Sequence, residues 1–493
     1  MNTLQKYSSS ALLLGLGLAG CQPEMHSPKY DRGTADFSKY VAVGNSLTAG
    51  FSDGGLYLEG QVYSYPNILS QQFAKVGGGP FTQPLFSDAQ SNGSGYLRLA
   101  GFTTATPPDE PSPITANVTT GLAVRGFYTP PRQTTPIPLQ MPPRPLYTKI
   151  TDFNINNLGV PGIRLSDIET VGYGSQAGNP YFERITPDAQ ATQTYLARVT
   201  ASNPTFFSNW LGNNDVLGYA TAGGYSSFIT SPTDFADKNS KVIDALTAGG
   251  AKGIVATIPD VTNVPYFTTV GPRFRAQLTR LGSTGFVALT GAGSTRKLIA
   301  RDDIRNDTGG RQLLTLTSSP YLGLLGTVGG RYWRELAISQ LRNPTTGAVN
   351  QLDYQTLLGA LIRTAAVDTT KAFGTPENPL PSALILDDEE QQQVLTATAA
   401  FNTAIRSKAA SKGLAVFDSN AFFSGVAQSG FITNGVNNTA SFITGNLFSL
   451  DGVHPTPRGY AVIANEMIKA INAQYGSTIP FVNPNAYRGV RIP

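Results

Sequence analysis

Apolar residues fall along the chain in short runs that alternate with helical periods. Tyr40 to Val43 is a β-branched run that Gly44-Asn45 breaks at once, which predicts a buried strand. Tyr65 to Phe73 puts Leu69 and Phe73 on one face of a helix. Pro66 is tolerated in its first turn, where the missing N–H has no helical partner. Phe153 to Asn157 alternates apolar and polar residues, predicting a strand that Leu158-Gly-Val-Pro-Gly162 ends, and Ser166-Asp167 can cap a following helix. Thr205 to Leu211 reads as an aromatic-rich strand running into Gly212-Asn213-Asn214-Asp215. Phe235, Val242 and Leu246 recur at helical spacing up to Gly249-Gly250, and Gly253 to Ile258 is a continuous apolar strand stopped by Pro259. A long helix is predicted from Asp388 to Ser411, with Val394, Phe401 and Ile405 on its apolar side, then a strand from Leu414 to Phe417. The last helix begins at Thr456-Pro457, a good cap and first-turn pair, and turns Ile463, Met467 and Ile471 to the core.

Two stretches interrupt this order. From Gly77 to Tyr147 the prolines at 107, 108, 111, 113, 130, 131, 143 and 145 exclude central strands and helix interiors. That segment reads as a loop-rich insertion, either a surface decoration or a cover for a groove. Residues 268–384 hold helical pieces, such as Tyr354 to Ala366, between Gly/Pro/Thr-rich loops. Five strand signals alternating with helices predict an α/β protein with a mainly parallel five-stranded sheet covered on both faces, a three-layer α/β/α fold. One domain over 36–476 is expected, with insertions at about 80–146 and 268–384 and a tail over 477–493.

Composition adds little to that picture. The 493 residues are 40% hydrophobic and 14% charged, and 52 glycines and 34 prolines agree with long irregular segments. A net charge of +4 is spread thinly, with no Lys/Arg block, so a nucleic-acid partner is not expected. The amino terminus is read apart from the fold. Lys6 precedes an apolar stretch from Ala11 to Gly20 that is too short to span a bilayer. Leu18-Ala19-Gly20-Cys21 resembles a bacterial lipoprotein signal, which implies removal of residues 1–20, a lipid on Cys21 and a polar tether over 21–35. Gln22 resembles the pattern of outer-membrane lipoproteins in Gram-negative bacteria, which implies a lipid-anchored protein of the cell envelope. The alternative is an ordinary secretory signal with an incidental cysteine. Cys21 is the only cysteine, so no intramolecular disulfide can form.

Candidate chemistry centres on Ser46, which follows the first strand at its carboxyl end, where open α/β sheets place ligands. A serine becomes a useful nucleophile only when a base takes its proton and donors hold the oxyanion it creates. The chain has two histidines. His26 lies in the tether, which leaves His454 as the imidazole for Ser46. Asp451, three residues earlier, is close enough through a short turn to orient that ring. The competing reading of His454 is a helix-capping or surface histidine. No Gly-x-Ser-x-Gly elbow is present, and one cysteine with two histidines does not make a typical zinc site. No metal or cofactor is expected.

Gly44-Asn45-Ser46-Leu47, Gly162, Gly212-Asn213-Asn214-Asp215 and Asp451-Gly452-Val453-His454 together resemble the four blocks of the SGNH (GDSL-type) serine esterase/lipase family, in the family's order. The resemblance spans the three core segments and neither insertion. It implies Ser46 as nucleophile, His454 as base and Asp451 as its partner. It also implies an oxyanion hole made by the Ser46 and Gly162 backbone N–H groups and the Asn214 side chain. Gly159 lies three residues before Gly162, and Gly162 fits the second block by its place after Asn157. The family usually has Asp where this chain has Asn45, a position outside the catalytic set. The implied reaction is hydrolysis of a lipid or acylated-carbohydrate ester through an acyl-enzyme. The same acyl-enzyme could instead serve an acyltransferase, and a non-catalytic glycan- or lipid-binding lipoprotein is the reading from another class.

Overall fold

The chain is described here from a computed structural model covering residues 30–104, 111–293 and 295–493. The leader, Cys21, His26, most of the expected tether and Pro107-Pro108 lie outside the described residues.

Five parallel strands make the central sheet: β1 (Tyr40–Gly44), β2 (Asn157–Gly159), β3 (Phe206–Trp210), β4 (Lys252–Ala256) and β5 (Ala415–Phe417), in spatial order β5-β4-β3-β1-β2. Every residue of β1 and β3 is buried, as expected where helices cover both faces of a parallel sheet. Strand alternation sorts the side chains. Val41, Val43, Phe207 and Val255 face one core with Tyr195, Phe235 and Phe401. Tyr40, Ala42, Phe206 and Ile254 face the other with Leu69 and Ile468.

Helices α3 (Tyr195–Ser202), α4 (Asn214–Thr221), α5 (Pro232–Thr247) and α6 (Asp388–Ser411) supply the first face. The second takes α2 (Tyr65–Ala74) and α7 (Pro457–Tyr475). Phe235 of α5 stacks on Phe401 of α6 with ring centres 3.9 Å apart. Burying one such side chain contributes about 1.5–3 kcal/mol, so these facing rings do much to fix the α5–α6 pair on the sheet.

The caps agree with the local sequence. Asp387 and Glu390 form a reciprocal capping box at the start of α6, and Thr456 accepts the Gly459 N–H at 3.1 Å ahead of Pro457 in α7. Two sequence expectations are corrected. Phe153 to Asn157 is not a strand; pairing with β1 begins only at Asn157. Asp152 Oδ1 turns the chain by accepting the Asn154 N–H, the Arg198 guanidinium holds the Phe153 carbonyl, and the Asn156 N–H goes to Thr82. Nor do Ser166-Asp167 cap a helix. They sit inside a 3₁₀ turn, Leu165–Asp167, where Asp167 reaches back to the Arg164 N–H at 2.9 Å.

Both interrupting segments carry structure. The first contains two antiparallel hairpins, Tyr96–Phe102 with Pro113–Val118 and Val124–Tyr128 with Arg144–Tyr147. Its prolines obey their rule even so: a two-stranded hairpin has only edge strands, and Pro113 opens one of them. The second holds the helices Gly271–Arg280, Arg331–Leu341 and Gln351–Ala365 around a core of its own that includes Phe274, Phe286 and Trp333. The two segments meet where Leu139 packs against Leu341 and Leu357, beside an Arg132–Asp353 ion pair at 2.9 Å. Residues 477–493 lie on the sheet domain: Val482 exchanges two hydrogen bonds of 2.9 Å with the Asn465 side chain of α7. Among the described residues no helix is long and apolar enough to cross a membrane.

Candidate active site

The strand order reverses at β1: the chain moves from β1 outward to β2, then crosses back to β3 on the other side. Ligands of open α/β sheets sit at such a switch point, outside the carboxyl ends of the strands. Ser46 follows β1 there, and Asn213-Asn214 follow β3. Gly44 is required for the tight exit from β1. A Cβ at that position would come within 2.0 Å of Thr48 Oγ1 and 2.9 Å of the Trp210 carbonyl.

Asn45 caps the short helix α1 (Ser46–Ala49), its Oδ1 accepting the Leu47 N–H at 3.1 Å. Its Nδ2 donates to Asn213 Oδ1 at 3.0 Å and ties the β1 loop to the β3 loop. An Asp at this position could only accept, so the Asn213 amide would have to turn to donate. Asn45 is therefore compatible with its neighbours as they stand, and the sequence departure noted above has a local partner.

Ser46 is only 7% exposed. Its Oγ lies 2.9 Å from His454 Nε2, and His454 Nδ1 lies 2.8 Å from Asp451 Oδ2. The three side chains are thus in hydrogen-bonded series although 408 positions separate the serine from the histidine. The His454 side chain and the Asp451 side chain are each 15% exposed. Burial alone would raise the Asp451 pKa. The adjacent His454 ring and the His454 and Val453 N–H groups outweigh it and bring the pKa to about 2. The carboxylate also accepts the Gly54 N–H at 2.8 Å and the Ser449 hydroxyl at 3.2 Å. On its other side the His454 ring meets Phe51, with centres 4.7 Å apart.

The expected oxyanion donors lie at the same rim. Asn214 begins α4, and its Nδ2 donates to the Ile163 carbonyl at 2.8 Å. That bond places the Asn214 amide directly beside Gly162, which is exposed at φ +83° in the turn after β2. A primary amide carries two hydrogens, so one remains for a ligand. The Gly162 turn is held from behind by Asp215, whose carboxylate accepts the Leu165 N–H at 2.7 Å, the Ser166 N–H at 3.3 Å and the Thr230 hydroxyl at 2.6 Å. Burial raises the Asp215 pKa to about 6 against those three donors.

Ser46, Asn214 and His454 open into a cavity whose other walls are mainly apolar, among them Leu47, Leu217, Val261, Val264, Phe448 and Val453. The arrangement can deprotonate a hydroxyl, offer amide N–H groups to a developing anion and shelter an apolar group beside both. Among the described residues no group of three or more His, Cys, Asp or Glu side chains is placed to hold a metal ion.

Sequence reasoning named Ser46, Gly162, Asn214, Asp451 and His454, and the structure brings all five to one end of the sheet. Asn213, Phe51, Gly54 and Ser449, to which the sequence assigns no role, hold that set in place. The two asparagines of Gly212-Asn-Asn-Asp215 were a usable signal for Asn213; Phe51 and Gly54 sit in a Gly-rich loop with no periodic mark. No family model matches the chain, and no curated protein and no solved structure matches it.

Proposed function

We propose that the protein is a serine hydrolase of the SGNH type that cleaves carboxylic esters with an apolar acyl group. The observation that carries this reading is the series Ser46 Oγ–His454 Nε2 at 2.9 Å and His454 Nδ1–Asp451 Oδ2 at 2.8 Å. Ser46 Oγ attacks the ester carbonyl while Nε2 takes its proton, and Asp451 stabilises the imidazolium that results. The carbonyl oxygen becomes an oxyanion next to the Asn214 amide and the Ser46 and Gly162 N–H groups. One well-placed donor of this kind contributes about 3–4 kcal/mol to the transition state. His454 returns its proton to the leaving alcohol, and water, deprotonated by the same nitrogen, then releases the acid from Ser46.

The walls of the cavity argue for the acyl side. Leu47, Val261, Val264 and Phe448 offer little to a short polar group and much to a hydrocarbon chain. Each buried methylene contributes about 0.8 kcal/mol, or roughly fourfold in kcat/KM. On a series of p-nitrophenyl esters from acetyl to palmitoyl, protein lacking residues 1–21 is expected to show kcat/KM climbing roughly 15-fold per added pair of carbons before it levels off. Turnover confined to the acetyl ester would overturn the assignment of the cavity to the acyl chain, and no turnover of any ester would overturn the hydrolase reading.

The resemblance of Leu18-Ala19-Gly20-Cys21 to a lipoprotein signal supports a site of action at a bacterial envelope with a lipid on Cys21 as anchor, and Gln22 supports the outer membrane. A Cys21→Ser variant is expected to leave the membrane fraction for the soluble one. Unchanged partitioning would remove the lipid anchor from this account.

A further inference from the structure

We infer that Asp53, a buried carboxylate on the loop after α1, is a positioning residue that holds the Asp451–His454 turn in register with Ser46, braced in turn by Tyr57 and by Arg488 near the carboxyl end of the chain. The inference rests on the hydrolase reading above.

Asp53 is 6% exposed and stands at φ +53°, a left-handed conformation that a residue with a Cβ adopts at some cost. Every polar group it carries is engaged. Its N–H donates to Ser449 Oγ at 2.8 Å, and the Ser449 hydroxyl donates onward to Asp451 Oδ1 at 3.2 Å. Its Oδ1 accepts the Leu450 N–H at 3.0 Å, one residue before Asp451. Its carbonyl accepts the Leu97 N–H at 2.7 Å from the first hairpin. The next residue, Gly54, gives its N–H to Asp451 Oδ2 at 2.8 Å. Three hydrogen bonds thus stitch the loop that follows the nucleophile to the turn that carries its base and the base's carboxylate.

The far side of Asp53 is just as ordered. Oδ2 accepts the Tyr57 hydroxyl at 2.8 Å, and the Tyr57 oxygen accepts from Arg488 at 3.3 Å. Arg488 grips Glu59 through two bonds of 2.9 and 2.7 Å, and the Tyr57 ring stacks on Tyr96 with centres 4.1 Å apart. The groups facing Asp53 are therefore Asp451, Tyr57 and Arg488, with Glu59 behind the last. Burial raises the Asp53 pKa and the Asp451 charge adds to that, while the Leu450 N–H, the Tyr57 hydroxyl and Arg488 oppose it. A second buried acid beside the first is costly, because like charges in a dry site repel. A tie that served stability alone would not need it.

The test compares kcat, KM and melting temperature for Asp53→Asn, Tyr57→Phe, Arg488→Met and Arg488→Lys with the unmodified full chain, on one p-nitrophenyl ester. Asp53→Asn keeps the size and an acceptor for Leu450 but sets an amide N–H against the Tyr57 hydroxyl. Misplacing reacting groups by less than an ångström lowers kcat by roughly 10- to 100-fold, and that loss is expected with KM and melting temperature nearly unchanged. Arg488→Met shifts kcat the same way by less, and Arg488→Lys restores part of it. If Asp53→Asn does not fold, the Arg488 pair decides: a kcat-selective loss relieved by Lys supports the inference, and native kcat in Arg488→Met overturns it. Native kcat in a folded Asp53→Asn overturns it too, as does a fall in melting temperature that alone accounts for the lost activity. An unmodified chain with no ester turnover overturns the hydrolase reading itself, an outcome distinct from all of these.

Discussion

Replacing Ser46 with Ala is expected to lower kcat on a p-nitrophenyl ester by ~10⁶-fold, because members of a hydrogen-bonded catalytic series act as a unit. The melting temperature should barely move. Ser46 Oγ has His454 Nε2 as its partner, and that nitrogen faces the cavity, where water can replace the lost hydroxyl. The same logic makes Ser46→Ala/His454→Ala hardly slower than either single variant. Additive losses would mean that the two side chains do not share a proton, and retention of turnover in Ser46→Ala would dismiss Ser46 as nucleophile.

The second large effect belongs to Asp451→Asn. The carboxylate is held at about 2 because the His454 ring and two backbone N–H groups outweigh the penalty of its burial. Its folded pKa lies below the ~3.9 of an unfolded aspartate. The stabilisation it brings is therefore fully present above that value and lost as pH falls through about 2. Across any practical assay range Asp451 is therefore ionised and stands as the fixed negative charge beside the His454 ring. An asparagine keeps the shape but can leave His454 in the wrong tautomer, and a loss of ~10⁴-fold in kcat is expected. A variant within tenfold of the native rate would show that Asp451 is only a turn residue whose carboxylate caps the Val453 and His454 N–H groups.

Where the sequence was informative, the signals were local and physical. The run Tyr40 to Val43, the Thr456-Pro457 start and the 24 residues of Asp388–Ser411 each follow from apolar spacing and cap chemistry, and each appears as expected. The candidate triad was legible because the chain has so few histidines, not because Asp451 and His454 announce a partner so far upstream. Phe153 to Asn157 misled because its apolar-polar alternation was real, while the Phe153 carbonyl and the Asn154 and Asn156 N–H groups were claimed by Arg198, Asp152 and Thr82, and only from the Asn156 carbonyl onward does the backbone bond to β1. The Asn45–Asn213 pair and the Asp53–Ser449–Asp451 stitch were illegible for another reason. They join loops 168 and about 400 positions apart, and loop-to-loop contacts leave no periodicity in a single sequence. Proline content hid the two hairpins of the first interrupting segment, since paired edge strands tolerate what a central strand does not.

The most direct measurement is covalent. The full chain is treated with a fluorophosphonate, which reacts with a serine whose proton is removed by a nearby base, and the product is mapped by mass spectrometry. The account predicts one adduct per chain, on Ser46, absent from Ser46→Ala and formed far more slowly in His454→Ala. An unlabelled chain, or an adduct on any other residue with Ser46 untouched, would contradict it.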